Sequence, residues 1–441
     1  MGIIRFFAEG VMGVLTPLCL LGVGVFLLVW LKAFPFFHPL GCIRLLKSKD
    51  KEHKGGALSA FFMALAGTLG VGNISGVALA LSVGGAGSLL WMWISALLAM
   101  LIKYAEVVLS LDRLKGKTNP PIHTSLGYVY ARLPRFSGLV ATLFGGAILL
   151  CSLILGGMIQ SNAVAEIFAS SFGFPPVLVG VILFLLTIVV IFGGGKRISA
   201  VTFRLIPVAT FLYAFLCLGV IWTFRGRLPQ VLKTIFVSGL SFRSASGGVL
   251  GYGMLLAVRE GCTRGLLSNE AGCGTAPMAH ATSTAASPEK QGIWGIFEVF
   301  VDTVFLCSLT GFAVLVSGIP LETGVGSMAS VMESLAVVWG KAASVLLAFS
   351  VFLFAFATVI CWSFYGSVGL SLFTHSKKVY RGFCWCFGVA VLLGALIAHS
   401  VIWYLTDILL GVMTLLNLFA ILRHRDRLKD SLLALPFMKR K

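Results

Sequence analysis

The stretch GTLGVGNISG, Gly67 to Gly76, sets four glycines and an asparagine inside a run otherwise built of Leu, Ala, Val and Phe. Glycine has no Cβ and reaches positive φ, so Gly67, Gly70, Gly72 and Gly76 lower the cost of leaving helical geometry. An unwound turn exposes N–H and C=O groups, which hydrocarbon does not tolerate unless protein or a watery cavity surrounds them. The freed groups then become ligands: a half-helix N-terminus for a carboxylate, carbonyls for a small cation. Asn73 adds a hard side-chain oxygen. The rival reading is close helix packing, for which Gly72 and Gly76 have the spacing. A nucleotide loop is a poorer fit. GTLGVG is not G-x-G-x-x-G and lacks a βαβ unit, and GGGK at Gly193 to Lys196 lacks P-loop spacing.

The rest of the chain makes lipid the relevant solvent. Of 441 residues, 58% are hydrophobic and only 11% charged. Soluble domains carry about 25% charged residues, so charge here is too scarce to cover a water-exposed surface. The net charge of +18 is not a nucleic-acid footprint, because the basic residues lie in short loops between apolar spans. The ten cysteines show no C-x-x-C pair and no metal spacing, and most lie inside apolar segments. The N-terminus has a weak basic region, Arg5 alone, and an apolar run long enough to span, so it reads as a transmembrane helix and not a signal peptide.

Apolar runs occupy 11–34, 58–82, 84–111, 138–170, 177–194, 203–223, 249–276, 293–317, 343–371, 382–399 and 402–421. An all-α membrane protein of about eleven transmembrane helices follows. Basic clusters follow the first, third, fifth, ninth and eleventh runs, which puts the C-terminus in the cytoplasm and the N-terminus outside. One loop disagrees, with Arg225, Arg227, Lys233 and Arg243 outside. There Leu228 to Val237 has the pattern of a short amphipathic helix on the outer surface. Residues 319–341 are weakly apolar and suit a cover over an outer vestibule. Residues 112–135, with Pro120 and Pro121, suit an ordered cytoplasmic loop.

Setting the first run aside leaves two sets of five. The first set opens with GTLGVGNISG, and the second opens with a span containing SNEAGCG, Ser268 to Gly274. An odd number of spans per set inverts one set relative to the other. Paired interrupted spans in inverted halves point to a transporter's binding site. The organisation is therefore 1–56 for an extra helix and loop, 57–223 for the first repeat, 224–248 for an external connection, 249–421 for the second repeat and 422–441 for a basic cytoplasmic tail.

Several blocks together resemble the alanine or glycine:cation symporter family. They are Gly67 to Leu111, MIQSNAVAEIF (Met158 to Phe168), GGGKRIS (Gly193 to Ser199), TRGLLSNEAGCGTAP (Thr263 to Pro277), FVDT (Phe300 to Thr303) and FAFATVICWSFYG (Phe354 to Gly366). The similarity runs in order over nearly the whole chain. It implies sodium-coupled uptake of alanine or glycine on a LeuT-like core of five plus five inverted helices. Three positions depart from the family pattern. Val71 replaces a threonine, Ala357 precedes Thr358 where serine is frequent, and Glu298 stands where a small residue is expected.

The resemblance implies a substrate site from Gly70, Val71, Gly72, Asn73, Gln160, Ser268, Asn269, Gly272, Thr358 and Trp362. It implies sodium ligands from the carbonyls of Ala66 and Leu69, the Thr358 hydroxyl and the Asn73 oxygen. Each has a plainer reading. Thr358 suits a bond to its own helix, Asn73 and Gln160 suit interhelical bonds, and Trp362 suits packing. Glu270 and Asp302 are intramembrane carboxylates, which default to function. Arg264, six residues before Glu270, with Arg259 and Glu260 nearby, offers instead a buried ion-pair network bracing the broken helix. Lys103 and Glu106 lie near the end of a span, where snorkelling is usual.

The reading is a symporter in the cell's inner membrane. Its partners are a small neutral amino acid, sodium and the lipid bilayer, with no nucleic acid, no obligate protein partner and no cofactor besides the coupling ion. The alternative is a carrier of the same fold for another small solute, in which proton coupling would run through Glu270 or Asp302. An intramembrane enzyme would need H-E-x-x-H or a paired aspartate at helix depth, and neither is present. A sensing receptor would need a sizeable soluble output domain, and the longest loops are too short for one.

Overall fold

The computed structural model describes residues 2–48, 56–114, 126–131, 136–240, 249–283, 287–320, 327–397 and 400–438, with no strand among them. Lys49, Lys51, Lys54, Lys115, Lys117, Pro120, Pro121, Arg132, Arg135, Arg243 and Lys439 to Lys441, all used in reading the loops, lie outside the described residues.

Helix α1 spans Phe6–Trp30 and α2 Pro39–Lys47. The glycine-rich span is broken into α3 (Gly56–Thr68) and α4 (Ser75–Gly84), joined through a single 3-10 turn at Val71–Asn73. Then come α5 (Gly87–Leu114), α6 (Ser137–Phe172), α7 (Pro176–Ile191) and α8 (Gly194–Thr223). Helix α9 (Leu228–Leu240) connects to the second set. There the first span is again broken, into α10 (Val249–Asn269) and α11 (Ala276–His280). The set continues with α12 (Pro288–Ser317), α13 (Ser327–Trp339), α14 (Ala342–Leu370), α15 (Lys377–Leu396), α16 (Ser400–Arg423) and α17 (Arg425–Ala434). Among the described residues, eight helices are long and apolar enough to cross a membrane, or nine with the bent pair α3–α4 as one span. The two further expected runs hold α7, of 16 residues, and α10, of 21.

The helices sort into two groups, each taking corresponding members of both sets. Helices α3, α4 and α5 pack with α10, α11 and α12, while α6, α7 and α8 pack with α14 and α15. Helix α16 leans on α6 and α1. Close approach is licensed by small residues, as expected where apolar burial gives no net drive. A Cβ on Gly261 would strike the backbone of Ser88, and one on Gly394 the backbone of Met158.

The connection between the two sets gives partners to two of the arginines that broke the charge pattern. Arg227 Nη1 donates to the Val316 and Ser317 carbonyls at 2.9 and 3.0 Å, capping the C-terminal end of α12. Arg225 lies over the Trp222 ring and donates to that residue's carbonyl. Helix α9 runs three residues past the expected amphipathic stretch, and Trp91 Nε1 donates to Gly239 O at 3.0 Å. The supposed cover at 319–341 is largely α13, packed on α4, α8, α12 and α14. The basic tail is not a free tail where it is described. Helix α17 buries Leu428 and Leu432, and Arg427 Nη2 meets Asp112 Oδ2 at 2.7 Å. Trp30 Nε1 donates to Arg425 O at 3.0 Å, and Phe437 packs against Phe34.

Candidate functional site

The first interruption bends α3 against α4 by 65°. The amide of Gly70 bonds Thr68 O at 2.8 Å, and that of Val71 bonds Gln160 Oε1 at 3.3 Å. The carbonyls of Ala66 and Gly67 thus lose the amide donors that an unbroken helix would supply. Gly67 O instead accepts from Trp362 Nε1 at 3.3 Å, and Leu69 O from Thr358 Oγ1 at 3.3 Å. None of Gly67, Gly70, Gly72 or Gly76 has positive φ, which corrects the expectation drawn from their flexibility. Two of them supply room. A Cβ on Gly67 would lie 2.6 Å from the Tyr365 hydroxyl, and one on Gly70 2.9 Å from Gln160 Oε1. Beside Gly72 and Gly76 nothing among the described residues lies within 4 Å of where a Cβ would be, so their spacing does not serve close packing there.

The second interruption follows the opposite recipe. Glu270, Gly272 and Gly274 take positive φ of 52°, 88° and 75°, a region that suits glycine and strains glutamate. Asn269 Oδ1 accepts from the Ala271 amide at 3.0 Å, while its Nδ2 donates to Gly265 O and Thr303 Oγ1.

Both interruptions face one cavity of about 520 Å³. It is lined by Gly70, Val71, Gly72, Gln160, Ser268, Glu270 and Thr358, and walled by α1, α10 and α16. It also takes in residues the sequence reading passed over, such as Ser75, Thr263, Tyr404 and Asp407. These are polar positions on apolar spans, a signal that was present but shared with many others. The Thr358 hydroxyl lies 3.0 Å from Phe354 O on its own helix, as the plainer reading expects, and 3.3 Å from Leu69 O across the break.

Behind the cavity is a buried polar cluster. Asn73 Nδ2 lies 2.7 Å from Asp302 Oδ1, 2.9 Å from Ser268 Oγ and 3.2 Å from Asp302 O. Ser268 and Thr303 hydroxyls donate to Asp302 Oδ2 at 2.9 and 2.7 Å. Asp302 sits in a π-helical widening of α12, Phe300–Cys307, and Gln160 directly follows a second one at Ser152–Ile159. Such widenings re-aim side chains and recur at functional sites. Asn73 Oδ1 is buried and has no hydrogen-bond partner among the described residues.

Several expected positions fall elsewhere. Trp362 does not reach the cavity: it is fully buried, with its Cβ against Gly156. Asn73, Asn269, Gly272 and Asp302 are likewise off the cavity wall. Arg264 does not brace Glu270. It pairs with Glu260 at 3.5 Å on its own helix, and Glu270 Oε2 accepts from Thr275 Oγ1 at 2.9 Å. Lys103 and Glu106 do not snorkel, because α5 is enclosed by protein on nearly all sides. Lys103 Nζ meets Glu298 Oε1 at 3.2 Å, and His280 Nε2 lies 3.0 Å from Glu298 Oε2. The carboxylate that looked out of place at Glu298 is thus the counter-ion of a buried lysine, as a charge in a dry interior requires.

The comparisons with known proteins agree with this geometry. The Sodium:alanine symporter family matches residues 2–431. The chain is 31% identical over 420 residues to the sodium/alanine symporter AgcS of Methanococcus maripaludis, covering 91% of this chain and 90% of that protein. It is 30% identical over 411 residues to the amino-acid carrier protein AlsT of Bacillus subtilis, covering 91% and 85%. It is 33% identical over 396 residues to the probable sodium/glutamine symporter GlnT of the same organism, covering 86% and 80%. Among solved structures, MhsT in complex with L-phenylalanine superposes with a TM-score of 0.62 at 14% identity, over 89% of this chain and 97% of that one. That likeness fixes the LeuT-like fold. The chain therefore belongs to the sodium:alanine symporter family, and it is a multi-pass membrane protein of secondary active amino-acid transport and not an enzyme.

Proposed function

We propose that the protein couples sodium entry to uptake of a small neutral amino acid, alanine or glycine, by alternating access. The observation that carries this is the convergence of two helix interruptions on one cavity, the arrangement secondary transporters use for substrate and ion together. The substrate carboxylate faces the amide groups of the first interruption, and its amine faces carbonyls and Gln160. One sodium takes the carbonyls of Ala66 and Leu69 with the Thr358 hydroxyl. Asn73 Oδ1, buried without a partner among the described residues, supplies a further oxygen. Oxygen donors of this kind suit a hard cation. Val71 brings no hydroxyl to the site, which favours a small apolar side chain on the substrate. The N-terminus and the cavity mouth face outward, and α17 lies in the cytoplasm of a cell whose inner membrane holds the protein.

The test is uptake of labelled L-alanine and glycine into proteoliposomes under an inward sodium gradient, against equimolar potassium. Accumulation above the external concentration in sodium alone is the expected result, and Asn73→Ala weakens its sodium dependence. Equal uptake in potassium sinks sodium coupling. Uptake driven by a pH gradient without sodium selects proton coupling instead. That second reading is favoured by the Asp302 carboxylate, which among the described residues is hydrogen-bonded only by uncharged donors.

A further inference from the structure

The second interruption has two faces. Glu270 and Cys273 look into the cavity. The backbone of Gly272 and Gly274 looks away from it, into a buried cluster contributed by three other parts of the chain. Gly274 N donates to Glu106 Oε1 on α5 at 2.9 Å. Asn417 Nδ2 on α16 donates to Gly272 O at 2.8 Å and to the same Glu106 oxygen. Asn417 Oδ1 accepts from the Tyr128 hydroxyl at 2.6 Å. Tyr128 belongs to the short helical turn Gly127–Tyr130, whose carbonyl side is held by His424 Nε2 at 3.1 Å. Glu106 and Asn417 are fully buried and Tyr128 is 1% exposed.

The orientation of the Asn417 amide is fixed by its neighbours. Gly272 O only accepts, so the amide nitrogen must face it. Both amide hydrogens are then used, and the amide oxygen is left for the one donor beside it, Tyr128. Both amide hydrogens and one lone pair of the amide oxygen are thus committed within the cluster.

The cluster also ties one group of helices to α16, which leans on α6 of the other group. Glu106 and the interruption belong to the group of α3, α4, α5, α10, α11 and α12. Asn417 rides on α16, which leans on α6 and α1. When one group rocks against the other around a fixed site, α10 and α5 move relative to α16, and the bonds from Asn417 to Gly272 and Glu106 must stretch or break. They lie on the side of the interruption away from the cavity, so they hold while the cavity is open and are lost as the opposite side opens.

We infer that Asn417, oriented by Tyr128, is a positioning residue for transport: it pins the second interruption to α16 and sets how readily the pathway opens on the side away from the cavity. It touches neither substrate nor ion. It acts through the Gly272 carbonyl and the Glu106 carboxylate, and it biases one state of the switch over the other. The inference needs only alternating access, whatever the substrate and coupling ion prove to be.

Accessibility on the far side is the direct readout. Ser59, half-buried near the start of α3, has its hydroxyl 2.7 Å from that of Ser199 on α8, across the boundary between the two groups. Ser59→Cys is placed in a Cys19→Ser/Cys273→Ser/Cys386→Ser background, which removes the half-buried, cavity-lining and exposed native thiols. The maleimide labelling rate is then measured on purified protein without substrate or sodium. Adding Asn417→Ala is expected to speed labelling by about fivefold, the equivalent of about one net hydrogen bond. Tyr128→Phe, which removes only the orienting hydroxyl, raises it by about twofold. In uptake assays the same variants raise KM for substrate offered from the cavity side, because the competent state is less populated. An unchanged labelling rate in both variants overturns the inference. So does lower protein yield with unchanged labelling and unchanged KM, which is what a purely structural role gives. Since labelling needs no ligand, a failed uptake assay would count against the proposed substrate and leave this result standing.

Discussion

The two interruptions break a helix by different means. The first, at Gly67 to Gly76, keeps every φ negative and is built from space. Glycines leave gaps that Tyr365 and Gln160 enter from other helices, and neutral hydroxyl, indole and amide groups meet the backbone. The second, at Ser268 to Gly274, is built from conformation. Three alternate residues, Glu270, Gly272 and Gly274, take positive φ, and the turn is held by the Glu106 carboxylate and two asparagines. Just beyond it, His280 at the end of α11 joins the Lys103–Glu298 pair. A break held by neutral contacts through open space yields to small forces. A break wound into the backbone and braced by charge resists them. The contrast makes the first interruption the softer of the two and the second the stiffer.

The contrast is easiest to break at the ionic brace. Lys103→Ala leaves the fully buried Glu298 without its ammonium partner, and removing one member of a buried pair costs about 3–5 kcal/mol. Its thermal midpoint in detergent should fall furthest of all the variants named here, while Lys103→Ala/Glu298→Ala recovers part of the loss. A double variant no better than the single one would mean that the pair carries no coupling. Gly272→Ala comes next. A Cβ there meets Leu20 at a φ of 88°, which adds about 1–2 kcal/mol of backbone strain to the clash. Gly67→Ala should cost about 1–3 kcal/mol through overpacking against Tyr365. It should be rescued in part by Tyr365→Phe, since the hydroxyl is the nearest atom; strict additivity of the two changes would show that space is not what Gly67 provides. The smallest effect belongs to Gly76→Ala, which has open room and helical φ. It should leave stability unchanged or raise it by up to about 1 kcal/mol, and a loss comparable to that of Gly272→Ala would erase the distinction between the interruptions.

The sequence announced where the helices break because glycines and polar residues stand out against an apolar background. It announced the fold because two such breaks recur at the head of two equal sets. What it withheld was contact across sets. Asn73 and Asp302 meet across 229 residues, and Lys103 and Glu298 across 195. No local pattern on either helix encodes the meeting. Lys103 and Glu106 were misread because closeness to a span's end says how far a side chain must reach for water, not whether lipid or protein surrounds it. Of the network expected around Arg264, the pair with Glu260 forms, one turn back on the same helix, and the reach to Glu270 does not, since helical neighbours usually outcompete distant ones. Asn417 and Tyr128 gave no signal: one amide in an apolar span and one tyrosine in a loop are ordinary.

The clasp between the chain's two ends has a consequence for how the protein is made. Helix α1 packs along α16, with Met12 and Thr16 against Gly411, and its C-terminal Trp30 is bonded to the carbonyl of Arg425 at the start of α17. The same helix also packs along α5, with Gly24 against Leu98. One side of α1 is thus covered by a helix made soon after it, while the side toward Gly411 and Arg425 is covered only once α16 and α17 have been made.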